Sequence, residues 1–255
     1  MHFFTNFLSK INLFISENRS TKIFGGLIFL TIFLHICIWP VMHLTEGSFW
    51  IYGDRIVPQY KYFSPALDGG YFEHFQYILL IWCCALSIVI CLRQNKFTYP
   101  IPLIYFFLFL DDSLSLHDSV FNYALIPFLS KTILSKIAFI PIKGFAEITY
   151  WLIVLIICLL LISPIFKYGN LIARKFIKTN FKFFILLAFF GSFVDVIGGV
   201  VFGFFPLKKE SLSSLLTHGS FILIEEIGEI TIIAFVCIWL IDIVIKKKLL
   251  INSTF

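Results

Sequence analysis

Six stretches of this chain, at about 22–43, 74–92, 98–118, 146–165, 183–205 and 218–245, are long and apolar enough to cross a bilayer, and they constrain the fold more than any other feature. A crossing helix needs about 20 mostly apolar residues, because bilayer hydrocarbon is about 30 Å thick and an α-helix rises 1.5 Å per residue. No water reaches that layer, so the backbone must satisfy its own hydrogen bonds within each helix. The expected fold is therefore all-α: one compact six-helix membrane bundle over residues 21–248, with a short tail at 249–255. Composition agrees. Hydrophobic residues make up 59% and charged residues only 14%, where a soluble domain carries about a quarter charged. The formal net charge of +5 is no nucleic-acid signal, since the basic residues sit in short loops and report orientation instead.

Thirteen of the 20 Lys and Arg residues fall on one side if there are six spans: Lys10, Arg19, Lys22, Arg93, Lys96, Lys167, Arg174, Lys175, Lys178, Lys182 and Lys246 to Lys248. The positive-inside rule then puts both termini in the cytoplasm and the long loop 44–73 outside, where its Trp, Tyr, Gly and Pro content suits a lid over the bundle. Residues 1–20 carry Phe3, Phe4, Phe7, Leu8, Ile11, Phe14 and Ile15 at helical spacing. That pattern predicts an amphipathic helix on the membrane surface; no small-residue site follows it, so a cleaved signal peptide is not expected. All six cysteines lie in apolar segments without metal-ligand spacing and are expected to pack as small hydrophobes.

The sequence FLFLDDSLSLHDSV at 107–120 interrupts this pattern. Counting helical rise, Asp111 lies about 20 Å from the inner end of the third span. Glu225, Glu226 and Glu229 on the sixth span, Asp195 on the fifth and His35 on the first come out at similar height, in the outer half of the membrane. A continuous third helix would line up Asp111, Ser115, Asp118 and Asn122 on one stripe, with Asp112 beside it and His117 turned away. His218, Glu225 and Glu229 form a second stripe, and Gly199 and Gly203 a GxxxG that lets Asp195 face a neighbouring helix. Seven carboxylates (Asp111, Asp112, Asp118, Asp195, Glu225, Glu226, Glu229) meet no Lys or Arg inside the spans. Each ionised acid at this depth costs a few kcal/mol on insertion scales, so protons or metal ions must neutralise the layer.

Structural readings exist for the parts. Asp195 beside glycines can be a hydrogen-bonded structural acid, His35 a satisfied interior histidine, Glu147 an N-terminal helix charge and Asp242 a partner of Lys246. Together, the converging acids point to function. The first class is a metal-dependent enzyme acting on a lipid or lipid-linked substrate. Asp111, Glu225, Glu229 and His218 would hold a divalent ion; Asp112 and Glu226 would take protons from a metal-bound water; Asp118, Asp195, His35 and Ser115 would support the pocket. The chain lacks HExxH and paired Glu-x-x-His motifs, which counts against zinc hydrolysis and a di-iron bundle. The alternatives are a proton- or cation-coupled transporter and a non-catalytic sensor or assembly factor.

DDSLSLHD after YFFLFL, EHFQY opening the second span and LIEEIGE in the last resemble uncharacterised small multi-pass bacterial membrane proteins with DDxxxxH[ED] and late EE motifs. The resemblance covers most of the bundle. It implies a bacterial cytoplasmic (inner) membrane and no particular activity.

Overall fold

The computed structural model describes residues 21–34, 36–37, 70–93, 96–130, 142–194, 196–198 and 212–246. These are helical throughout, with short turns and no strand among them. The helices are α1 Thr21–Leu34, α2 Tyr71–Arg93, α3 Pro100–Ser113, α4 Leu116–Val120, α5 Ile126–Leu129, α6 Ile142–Tyr168, α7 Leu171–Ala188 and α8 Leu212–Lys246. Wider π-helical turns occupy Phe121–Leu125, between α4 and α5, and Phe189–Val194, after α7.

Four helical stretches are long and apolar enough to cross a membrane: Tyr71–Arg93, Gly144–Tyr168, Leu171–Gly198 and Leu223–Ile245. The chain is thus a membrane protein, with four full-length spans among its described residues where the sequence predicted six. The difference lies in α1 and α3. Helix α1 is described over 14 residues, and most of the remainder of the 22–43 run lies outside the described residues. Helix α3 stops after 14 residues, about 21 Å of rise against about 30 Å of hydrocarbon. The amphipathic segment expected at 1–20, most of the 44–73 loop and the 249–255 tail also lie outside the described residues.

Helix α3 ends because Ser115 takes up a left-handed backbone, φ 46° and ψ 46°, the one positive φ at a non-glycine residue among those described. That conformation costs an L-residue roughly 1–2 kcal/mol. The run Asp111-Asp112-Ser113 favours such a stop, since short polar side chains compete with helical backbone pairing. The continuous stripe expected through Ser115, Asp118 and Asn122 is therefore broken, and Asn122 faces outward.

Helix α2 is the centre of the bundle, packed along α3 on one side and α8 on the other. Glu73 in its first turn and Arg93 in its last complement the helix dipole. The core joins Leu80, Cys83 and Ile90 of α2, Ile101 and Leu108 of α3, and Ile230, Ala234 and Leu240 of α8. Ile28 and Ile32 of α1 also enter this core, and Phe29 packs against Phe235 with ring centroids 5.1 Å apart. Helix α6 instead turns Leu152, Ile153, Ile156, Ile157 and Leu160 outward, as a lipid-facing helix must. All six cysteines are free, and Cys83 and Cys237 are buried as expected.

The basic residues expected in a loop after the fourth span lie on a helix instead. Only Gly169 and Asn170 separate α6 from α7, and Arg174, Lys175, Lys178 and Lys182 are exposed along the first turns of α7. Asn170 caps that helix, accepting from the Ala173 amide at 2.9 Å. On the buried face, the Tyr105 hydroxyl donates to Asn180 Oδ1 at 2.6 Å, tying α3 to α7.

Candidate functional site

The end of α3 places two adjacent acids on different neighbours. Asp111 is fully buried and looks toward α6, where the Tyr150 hydroxyl donates to its Oδ1. The other oxygen, Oδ2, meets His117 Nδ1 at 3.2 Å. A straight helix would have carried His117 away from Asp111. The left-handed turn at Ser115 restarts the chain so that the imidazole folds back over it, which corrects the expectation that His117 stands apart. Its ring packs near Phe121 and Tyr150, at 5.6 and 6.5 Å between centroids. On its far side, Nε2 stands 4.0 Å from Asp118 Oδ2.

Asp112 looks toward α2 and α8. Its Oδ2 accepts from Gln76 Nε2 at 3.0 Å, and its main-chain carbonyl accepts from the Tyr77 hydroxyl at 3.2 Å. The same Gln76 nitrogen donates to Glu229 Oε2, also at 3.0 Å. Three helices thus meet at one side-chain amide. Gln76 is 4% exposed, and its carbonyl Oε1 has no hydrogen-bond partner among the described residues. A buried amide left half satisfied is costly, so this is a place where a further donor would be stabilising. Glu226 lies within electrostatic reach of Glu229, Glu225, Glu73 and Asp112.

Both π-helical turns abut this centre. In the first, Phe121 stacks edge-on against Tyr150 at 5.5 Å. In the second, Gly191 lies so close to Glu229 that a β-carbon there would run into the Glu229 carboxylate. Gly228, beside Glu229, is in turn covered by the Phe190 ring. Such wide turns within helices concentrate at functional sites.

Of the residues named from sequence, the structure gathers Asp111, Asp112, Glu226 and Glu229 with Glu225 alongside, Ser115 in the turn and Asp118 at the rim. Asp112 rather than Asp111 is the partner of Glu229. His35 and Asp195 lie outside the described residues, as does the His218 side chain. Among the described residues, no group of three His, Cys, Asp or Glu side chains stands in metal-binding arrangement. Sequence reasoning missed Gln76, Tyr77, Tyr150 and Gly191. Gln76 had a readable signal, as the lone amide in the apolar run of α2. Glu147, expected as an N-terminal helix charge, is buried in the second turn of α6, one turn before Tyr150.

The fold and this centre define a multi-pass, all-helical membrane protein with a buried carboxylate–amide–imidazole cluster. The model of a domain of unknown function, DUF8692, matches residues 28–243, and the chain belongs to that family. The match takes in every residue of the cluster. No curated protein and no solved structure matches the chain.

Proposed function

We propose that this chain is a proton-binding protein of the bacterial cytoplasmic membrane that acts on a lipid or lipid-linked substrate, with Asp112 and Glu229 as the proton-holding pair and Glu226 beside them. The observation that carries this reading is the single Gln76 nitrogen shared by two carboxylates from different helices. Two ionised acids held this close, without a Lys or Arg among the described residues of the cluster, would repel strongly at low dielectric. One proton removes a charge and lets one acid donate to the other across the shared Gln76 nitrogen. A graded path to the interior supports the same role: the side chain of Asp118 is 43% exposed, that of His117 33%, and that of Asp111 fully buried. Imidazole between two carboxylates is suited to passing protons inward.

The infrared spectrum of purified protein tests the proposal. The carbonyl stretch of a protonated carboxylic acid is expected at neutral pH, and Glu229→Gln or Asp112→Asn should diminish it. Fully ionised acids together with stoichiometric divalent metal would overturn the reading.

A divalent cation is the second reading, with Asp112 and Glu229 as ligands, Asp111, Glu225 and His218 as further donors, and Glu226 as the base. One observation favours it. Asp112 Oδ2 and Glu229 Oε2 share a point 3.0 Å from each, the Gln76 nitrogen, close to where an ion bonding at about 2.0–2.6 Å would sit if that amide swung aside.

The proposal places both termini in the cytoplasm and the acid centre in the outer half of the bilayer. A single cysteine at Ser64 in a cysteine-free background should react with an impermeant thiol reagent from outside, and one at Ser253 should not. The reverse pattern would move the centre to the cytoplasmic half.

A further inference from the structure

An apolar cavity of about 270 Å³ lies between α3, α6 and α7, just below the roughly 300–1,000 Å³ of small-molecule sites. Among the described residues that line it, only Trp151, Cys158 and Ser192 have any hydrogen-bonding atom on the side chain. A bound water needs two to four polar partners, so this space does not suit water. Its rim includes Leu152, Leu155, Ile185 and Phe193, all exposed on the face that meets lipid.

The slot lies next to the acid cluster. Ile104 and Leu108 line it on α3, and Asp111 continues the same helical face one turn further on. Val154 and Cys158 line it on α6, and Tyr150 precedes them on that face. Ala188 and Ser192 line it on the third wall, and Gly191 next to Ser192 touches Glu229. The Asp111–Tyr150 hydrogen bond therefore lies beside the slot, next in sequence register to its lining residues on α3 and α6. From Tyr150 to Cys158 the helix rises about 12 Å, close to the ~15 Å of one leaflet's hydrocarbon.

We propose that this slot binds a single hydrocarbon chain, acyl or prenyl, of a membrane lipid whose polar end then lies at the Asp111–Asp112–His117 layer. The inference rests on the reading of that layer as the functional centre, and it names the substrate class as a chain-anchored lipid. The slot offers apolar walls and a lateral opening to hydrocarbon. The hydrogen-bonding groups of Asp111 and Tyr150 lie beside it, so apolar and polar environments follow one another as they do along such a molecule.

Two single-tryptophan proteins, keeping only Trp151 in the slot or only Trp82 on α2, provide the test. Trp82 is 48% exposed on another lipid-facing surface and reports ordinary annular lipid. In detergent, a phospholipid brominated along its acyl chain is titrated into each. Quenching of Trp151 is expected to saturate at one lipid per protein while Trp82 changes little, and Ala188→Phe should abolish the saturable quenching. Leu155→Phe serves if Ala188→Phe fails to fold. Parallel quenching of both tryptophans, or saturable quenching indifferent to the filling variants, would overturn the proposal. So would a dimer with Trp151 shielded at all lipid concentrations, since a second copy would then cover the slot. This readout does not depend on acid protonation. Saturable binding without the infrared carboxylic band would remove the proton reading alone, and the reverse result would remove the slot alone.

Discussion

Alanine in place of Gly228 is expected to destabilise the folded protein by about 1–3 kcal/mol, the usual cost of overpacking a well-filled interior. On helix propensity alone the change should go the other way, because alanine is favoured over glycine by about 1 kcal/mol within a helix. The reversal comes from Phe190. A β-carbon at position 228 would overlap the near side of that ring, not the far end of a flexible chain. Phe190 belongs to the π-helical turn that also brings Gly191 against Glu229, so moving the ring disturbs the acid cluster too. Gly26 is the control. It lies within α1 with nothing inside 4 Å of its would-be β-carbon, and Gly26→Ala should be neutral or stabilising. Thermal unfolding in one detergent checks both. An unchanged or raised melting temperature for Gly228→Ala would mean that α8 and the π-turn do not pack this closely.

The membrane character and the positions of four spans were legible because lipid imposes one rule on every crossing segment: length and apolarity together. The 74–92, 146–165 and 218–245 runs correspond to α2, α6 and α8 with modest extensions. The third span misled the reading, since apolarity continues past Asp112 through Leu114 and Leu116 while the helix does not. A serine in left-handed conformation leaves no hydrophobic trace, and from it follow both the shortened α3 and the return of His117 to Asp111. The fifth span began earlier than expected because a helix entering the interface can carry lysines on its outer face, as α7 does.

The acid layer was legible as an expense: carboxylates in apolar sequence without cations demand an explanation. Pairing was not, because it is set by how helices are rotated about one another. Asp111 and Asp112 differ by about 100° around α3, and that angle sends one to Tyr150 on α6 and the other to Gln76 on α2. The neutral partners were overlooked for a related reason. A search for charges passes over tyrosine and glutamine, yet here they supply the donors that the acids accept.

Asp112→Asn combined with Glu229→Gln should raise stability if protons neutralise the pair. Each amide keeps a carbonyl oxygen to accept from Gln76 Nε2, as the neutral acid does, without needing a proton. The substitutions also remove any residual charge from a site where an ionised acid costs a few kcal/mol. A gain of about 1 kcal/mol or more is the expected result, and chelator should change neither the wild type nor the variant. A resident divalent ion predicts the opposite sign. A ligand bound only by the native state stabilises it by about 4 kcal/mol at a thousandfold excess over its dissociation constant, and the amides would forfeit that term. Chelator would then lower the wild-type melting temperature toward that of the variant. Glu229→Ala separates charge from shape. It removes the carboxylate without leaving an acceptor for Gln76 Nε2, so it should destabilise under either reading. The contrast between Glu229→Ala falling and the double amide rising is thus specific to a pair held neutral by protons. A double amide that falls as far as the alanine variant, with wild type sensitive to chelator, would return the centre to metal.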